Sequence, residues 1–193
     1  MTEDARSTPI LHGERVYLRS PERSDIPVFV RWFNDAELTA TLAMRAPMSM
    51  PLEEAWFETM VKSQGVDNYH FTICLRADDR PIGTCNLFQV DKVNGNAGIG
   101  ISIGEKSLWD QGLGTEAMLA LLDFGFGMVR LERMWLDVYD FNERARRSYE
   151  KCGFVLEGVQ RRAIFKRGRF IDVHLMSILR DEWQSLDRRP YWE

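Results

Sequence analysis

Two glycines mark the most chemically suggestive stretch of the chain, Gln111-Gly112-Leu113-Gly114-Thr115-Glu116-Ala117. It opens an apolar helical pattern. The first amides of a helix have no intrahelical acceptor, and the helix dipole makes that end positive. Glycine lets a ligand come close to the backbone and tolerates positive φ. The amides of residues 112 to 115 are therefore a ready anion site, and a phosphate is the natural occupant. A P-loop is excluded, because no Gly-Lys-Ser/Thr follows at the required spacing. The dinucleotide pattern G-x-G-x-x-A is formally met, with Asp137 downstream of it. That fingerprint wants a strand running directly into the first glycine, and Glu105 to Gln111 intervene. A plain strand-to-helix turn is the third reading.

Further along, Asn142, Ala145 and Tyr149 are spaced i, i+3, i+7 and share one helix face. Asn142 suits a helix cap and Gly153 a helix stop. Asp137 sits in the apolar run Met134-Trp135-Leu136-Asp137-Val138. A carboxylate so placed has a raised pKa, which suits a base acting through water. If it lies on the alternate face of the strand, it is simply exposed.

The elements that must hold these residues follow from periodicity and turn chemistry. Glu14 to Ser20 alternates as a first strand. Ser24 suits the cap of a helix from Asp25, and Pro51 suits the first turn of another, after Ser49 or Met50. Tyr69 to Ala77 and Ile82 to Val90 form a strand pair around a turn. Ala97 to Gly104 is a third strand, whose glycines weaken it or mark a bulge. A helix from about Gly114 to Met128, a strand over 133–140 and a helix capped by Asn142 come next. Two strands joined around Lys166-Arg167-Gly168-Arg169 and a short helix close the chain. The order predicts an α+β or mixed α/β fold in one domain.

The chain has 193 residues, enough for one domain with a full core. Its formal charge of −4 speaks against a nucleic-acid surface and suits a cationic acceptor. No apolar run is long enough for a bilayer, so no membrane association is expected. Cys74, Cys85 and Cys152 are widely spaced, as free thiols in a reducing cytoplasm would be. No Cys or His cluster suggests a metal.

Three blocks together resemble the GNAT superfamily of acyl-CoA-dependent N-acyltransferases. The first is Trp109-Asp110-Gln111-Gly112-Leu113-Gly114-Thr115-Glu116-Ala117, similar to the family's Arg/Gln-x-x-Gly-x-Gly/Ala loop. It departs from the general pattern at Trp109. A Trp there resembles the branch holding the ribosomal-protein N-terminal (alanine/serine) acetyltransferases and the polyamine acetyltransferases. The second is Asn142-x-x-Ala145-x-x-Ser148-Tyr149-x-x-x-Gly153-Phe154, and the third is Lys166 to Trp183. The likeness spans residues 13–183, leaving 1–12 and 184–193 as terminal tails.

The resemblance implies a central, mostly antiparallel, splayed sheet flanked by helices. It implies acetyl-CoA as co-substrate and no metal. The diphosphate would lie on Gln111, Gly112, Leu113, Gly114 and Thr115. The pantetheine arm would lie along Ile101, Ser102 and Ile103, with Asn142 as a further ligand. Tyr149 would be the general acid and Asp137 the base, twelve residues before it; Glu37, Asn86 and Ser102 are alternatives on the acceptor side. The acceptor would be a primary amine, on a protein N-terminus or on a small molecule such as a polyamine, aminosugar or antibiotic. Asp35 to Pro51 and the turn near Arg167 would hold it, with Trp32, Met44, Met48, Met50 and Trp56 as an apolar wall. A homodimer is the family's habit. The alternative function is a non-catalytic acyl-CoA sensor on the same scaffold; Tyr149 together with Gly112 and Gly114 favours turnover.

Overall fold

The computed structural model describes residues 11–44 and 47–191. Short strands β1 (Leu11–His12) and β2 (Val16–Arg19) come first. Helices α1 (Ile26–Phe33), α2 (Ala36–Ala40) and α3 (Met50–Ser63) follow. A meander of β3 (Tyr69–Leu75), β4 (Pro81–Asp91) and β5 (Asn96–Ile103) leads to α4 (Leu113–Asp123). Strand β6 (Arg133–Tyr139), helix α5 (Glu143–Lys151), strands β7 (Val155–Lys166) and β8 (Arg169–Leu179), and helix α6 (Arg180–Gln184) complete the order.

Local chemistry sets most of these boundaries. Ser49 caps α3 by accepting from the Leu52 amide, and Pro51 sits in its first turn. Asn142 caps α5 through Oδ1 and the Ala145 amide, 3.3 Å apart. Arg167 and Gly168 both have positive φ, the geometry of a tight hairpin between β7 and β8. The expected Ser24 cap is displaced: the Glu22 amide donates to Asp25 Oδ2 at 2.9 Å, and residues 23–25 form a tighter turn before α1. Asp25 then accepts from Arg19 and Thr72, which ties the turn to β2 and β3. The sequence reading did not resolve α2, a five-residue helix capped by Asp35. Helix α4 widens into a π-turn over Phe124–Met128, where Gly125 and Gly127 interrupt the helical residues.

All eight strands form one sheet in the order β1-β2-β3-β4-β5-β6-β8-β7. Every pairing is antiparallel except β5 with β6. This is a mixed α+β single sheet, as expected. Strand alternation separates its two faces. Phe71 on β3 packs edge-on against Phe124 at the end of α4, while its neighbour Thr72 bonds Asp25 before α1. Helix α4 therefore covers one face and α1 lies on the other. The main core sits under α4, where Ala117, Met118, Leu121 and Leu122 meet Leu87, Met134, Leu136 and Ile178, all essentially buried. A smaller cluster of Ile26, Phe57 and Met60 packs α3 against α1.

Candidate active site

The parallel ladder between β5 and β6 is short. It pairs Asn96, Ala97 and Gly98 with Arg133, Met134 and Trp135, and goes no further. Beyond Gly98 the two strands diverge. Strand β5 stays paired with β4 through Ile103. The Gly104 amide donates to Ile82 O, so by antiparallel alternation the main-chain groups of Gly100 and Ser102 point to β4. Those of Ile99, Ile101 and Ile103 then turn towards the gap. Gly98 borders an irregularity, since it pairs with Phe88, where the β4–β5 register shift begins, whereas Gly100 lies in regular pairing with Asn86. A side chain at Gly98 would collide with the Phe88 ring, and one at Gly100 with the Asn86 amide. These glycines make room for the Phe88 ring and the Asn86 amide.

The divergence opens a cleft of about 590 Å³. One wall carries Ile101, Ser102 and Ile103, and the opposite wall Asp137, Val138 and Tyr139. One end is closed by Gly112, Leu113, Gly114 and Thr115 with Asn142 and Tyr149. Ten of the eleven residues expected to bind the cofactor or take part in catalysis thus line one cavity. Gln111 does not: its side chain donates to Ser107 O at 2.9 Å and its carbonyl accepts from Arg15.

Gly112 adopts φ +80, which an L side chain rarely takes, and it caps α4 without a side-chain acceptor. The first α4 amides are left free for a ligand. Ser102 Oγ is buried without a hydrogen-bond partner. Asn142 spends Oδ1 on its cap, and its amide nitrogen remains for a ligand. Free amides, an orphaned hydroxyl and the open edge of β5 suit a long, amide-bearing, phosphate-ended molecule such as acyl-CoA.

Tyr149 projects from α5, whose position Thr115 and Ser148 fix through their hydroxyls, 2.8 Å apart. Burial pushes the Tyr149 hydroxyl up to about 12, with the neighbouring Cys152 adding to the shift, so it stays protonated. Asp137 lies at the solvent-exposed mouth, and partial burial of its carboxyl raises its pKa.

Several contacts around the site join residues that are distant in the sequence. Glu116, in the first turn of α4, accepts from the amides of Arg15 (2.6 Å) and Val16 (3.1 Å) and from Arg15 Nε (3.0 Å). This clasp ties the glycine loop to the β1–β2 turn. Arg144 lies over the face of Trp109, its Cζ 3.7 Å from the ring centre. Gln160, Ala163 and Ile164 line the cleft from a bulge in β7, where 161–163 lie opposite Asp172 alone. Arg162 takes φ +51 there, and its amide donates to Asp172 Oδ1 at 2.7 Å.

The expected apolar wall does not line the cleft. Trp32 is buried against Gly104 and donates to Glu105 at 2.8 Å. Met44 lines a separate hollow, Met50 and Trp56 are exposed, and Met48 also lies outside the cleft. Leu38, Thr41, Leu42 and Ala43 take their place, because α2 turns that segment inward. Glu37 points to solvent and pairs with Lys106 at 3.2 Å.

An acetyltransferase (GNAT) domain profile matches residues 15–155. The chain belongs to this family and is an acetyl-CoA-dependent N-acetyltransferase. It is similar to the uncharacterized N-acetyltransferase p20 of Bacillus licheniformis, with 29% identity covering 90% of this chain and 97% of that one. It also resembles the spermidine N(1)-acetyltransferase of Vibrio cholerae, with 33% identity covering 53% of this chain and 58% of that one. The crystal structure of spermidine N-acetyltransferase from Vibrio cholerae in complex with CoA and spermine shares the fold. Its TM-score is 0.82 at 24% identity, covering 88% of this chain and 98% of that one.

Proposed function

We propose that the protein acetylates a primary amine by direct transfer, with Tyr149 as general acid and Asp137 as general base through water. The ending of the parallel ladder at Gly98 carries this reading, because it leaves a strand edge open directly opposite the residues of β6 and α5. The main-chain groups of Ile101, the Ile103 amide, the hydroxyl of Ser102 and the amide of Asn142 hold the pantetheine arm. The free amides of residues 112 to 115 hold the diphosphate. The bound thioester supplies an activated acyl group, so no covalent enzyme intermediate is needed. Asp137, through water, takes the proton whose loss converts the ammonium into the nucleophilic amine. Tyr149 returns a proton to the departing sulfur.

The acceptor end is lined by Leu38, Thr41, Leu42, Phe88 and Ile164, with Asp137 as its carboxylate. The β7–β8 turn is anchored beside it: Arg167 donates to Ala36 O at 2.7 Å and Lys166 donates to Leu42 O, and both turn residues line the neighbouring hollow. An anchored turn favours a compact amine over an extended polypeptide, so a small-molecule acceptor is preferred to a protein N-terminus. The buried free thiols of Cys74, Cys85 and Cys152 suit a reducing cytoplasm.

Tyr149→Phe tests the acid. The variant should bind coenzyme A within about twofold of wild type. In a thiol-release assay over a panel of amines and short peptides, its kcat should fall by roughly 100-fold or more. Full turnover by the variant removes Tyr149 from the chemistry.

A further inference from the structure

On the reading that acyl-CoA fills this cleft, we infer that Trp109 and Arg144 together form a cation site for the cofactor's diphosphate, replacing the cation that the loop itself lacks.

Position 109 is where the general loop pattern carries Arg or Gln, and this chain has Trp. The structure brings a cation back to that point from another element. Arg144 stands in the first turn of α5, and its guanidinium carbon is 3.7 Å from the Trp109 ring centre. The indole is itself held in place, since Nε1 donates to Ile103 O at 2.7 Å. A guanidinium held over an indole face keeps N–H groups available for two phosphate oxygens. Both residues line the cleft beside Gly112 and Gly114.

The charge pattern of α5 singles out Arg144. Arg147 pairs with Glu143 at 3.4 Å and Arg146 with Glu150 at 3.1 Å, each within the helix. Arg144 has no ion pair among the described residues. A cation near a helix N-terminus opposes the helix dipole, and an anion bound there relieves the conflict. The Thr115–Ser148 bond ties the first turn of α4 to the middle of α5, and Arg144 lines the same cleft as the α4 start, so one diphosphate can meet the α4 amides and Arg144 at once. Asp110, Lys151 and the Glu143-paired Arg147 also line the cleft, and Asp110 is the acidic residue such a ligand must avoid.

The test compares Arg144→Gln and Arg144→Lys with wild type. Three probes are used: acetyl-CoA, its analogue lacking the 3′-phosphate, and acetyl-pantetheine, which has no phosphate. Titration calorimetry serves the first two and ligand-detected NMR the third. R144Q should weaken both nucleotides by the same factor, about tenfold, and leave acetyl-pantetheine unchanged. It should also flatten the dependence of log Kd on log salt, and R144K should restore only part of the loss. Acetyl-CoA affinity within twofold of wild type in R144Q overturns the inference. So does an equal loss on acetyl-pantetheine, which would mean that Arg144 only packs the loop. A loss with acetyl-CoA but not with the analogue moves the contact to the 3′-phosphate and overturns the diphosphate assignment. If wild type binds none of the three, the cofactor reading itself fails, which is a separate result.

Discussion

In the proposed mechanism Asp137 and Tyr149, which share one cleft, have opposite protonation tasks, and burial raises the pKa of both with opposite consequences. A raised pKa keeps Tyr149 protonated, as an acid must be. For Asp137 the same direction costs activity at low pH, because a base works only when ionised. The acid limb of kcat/KM should therefore lie above the ordinary carboxylate value of 3.8, with activity falling as pH drops through it. Asp137→Asn should abolish that limb and lower kcat by roughly 100-fold. A pH profile unchanged in the variant would assign proton removal to another group.

At the scale of elements, the site depends on irregularities in otherwise regular strands. The β5–β6 ladder stops after three pairs, and the β7 bulge turns Gln160, Ala163 and Ile164 inward. Asp172 pins that bulge at the Arg162 amide. Asp172→Ala removes a charge-assisted bond worth about 1.5 kcal/mol. The acceptor KM should then rise about tenfold, with the acetyl-CoA Kd unchanged. Steady-state kinetics with both substrates varied will separate the two. A matching loss of cofactor affinity would show that the bulge supports the whole cleft and not its acceptor end alone.

The whole molecule is closed by the segment after α6, which the sequence left as a tail. Leu186 and Tyr191 pack against the main core. Asp123 at the end of α4 is 1% exposed and accepts from Trp183 Nε1, Arg188 and the Tyr191 amide. A buried carboxylate that loses its cation is left with an uncompensated charge. Arg188→Leu should cost about 3 kcal/mol in urea unfolding. A change below about 0.5 kcal/mol would mean that water replaces the guanidinium there.

The sequence by itself determined what local chemistry can encode. The glycine-opened helix, the Asn142 cap, the Arg167-Gly168 turn and the order of strands and helices each depend on residues close together in the chain. So does the placement of Tyr149 one helix turn beyond Ala145 on the same face. Tertiary structure decided whatever required distant segments to meet. Arg144 reaches Trp109, Glu116 holds the β1–β2 turn, and Leu38 to Ala43 form the wall assigned from sequence to Trp32 and the methionines. Periodicity marks which residues an element buries but not what they meet across a gap. The gap itself arises because β6 turns away from β5 to pair along its length with β8, a choice made by the whole sheet.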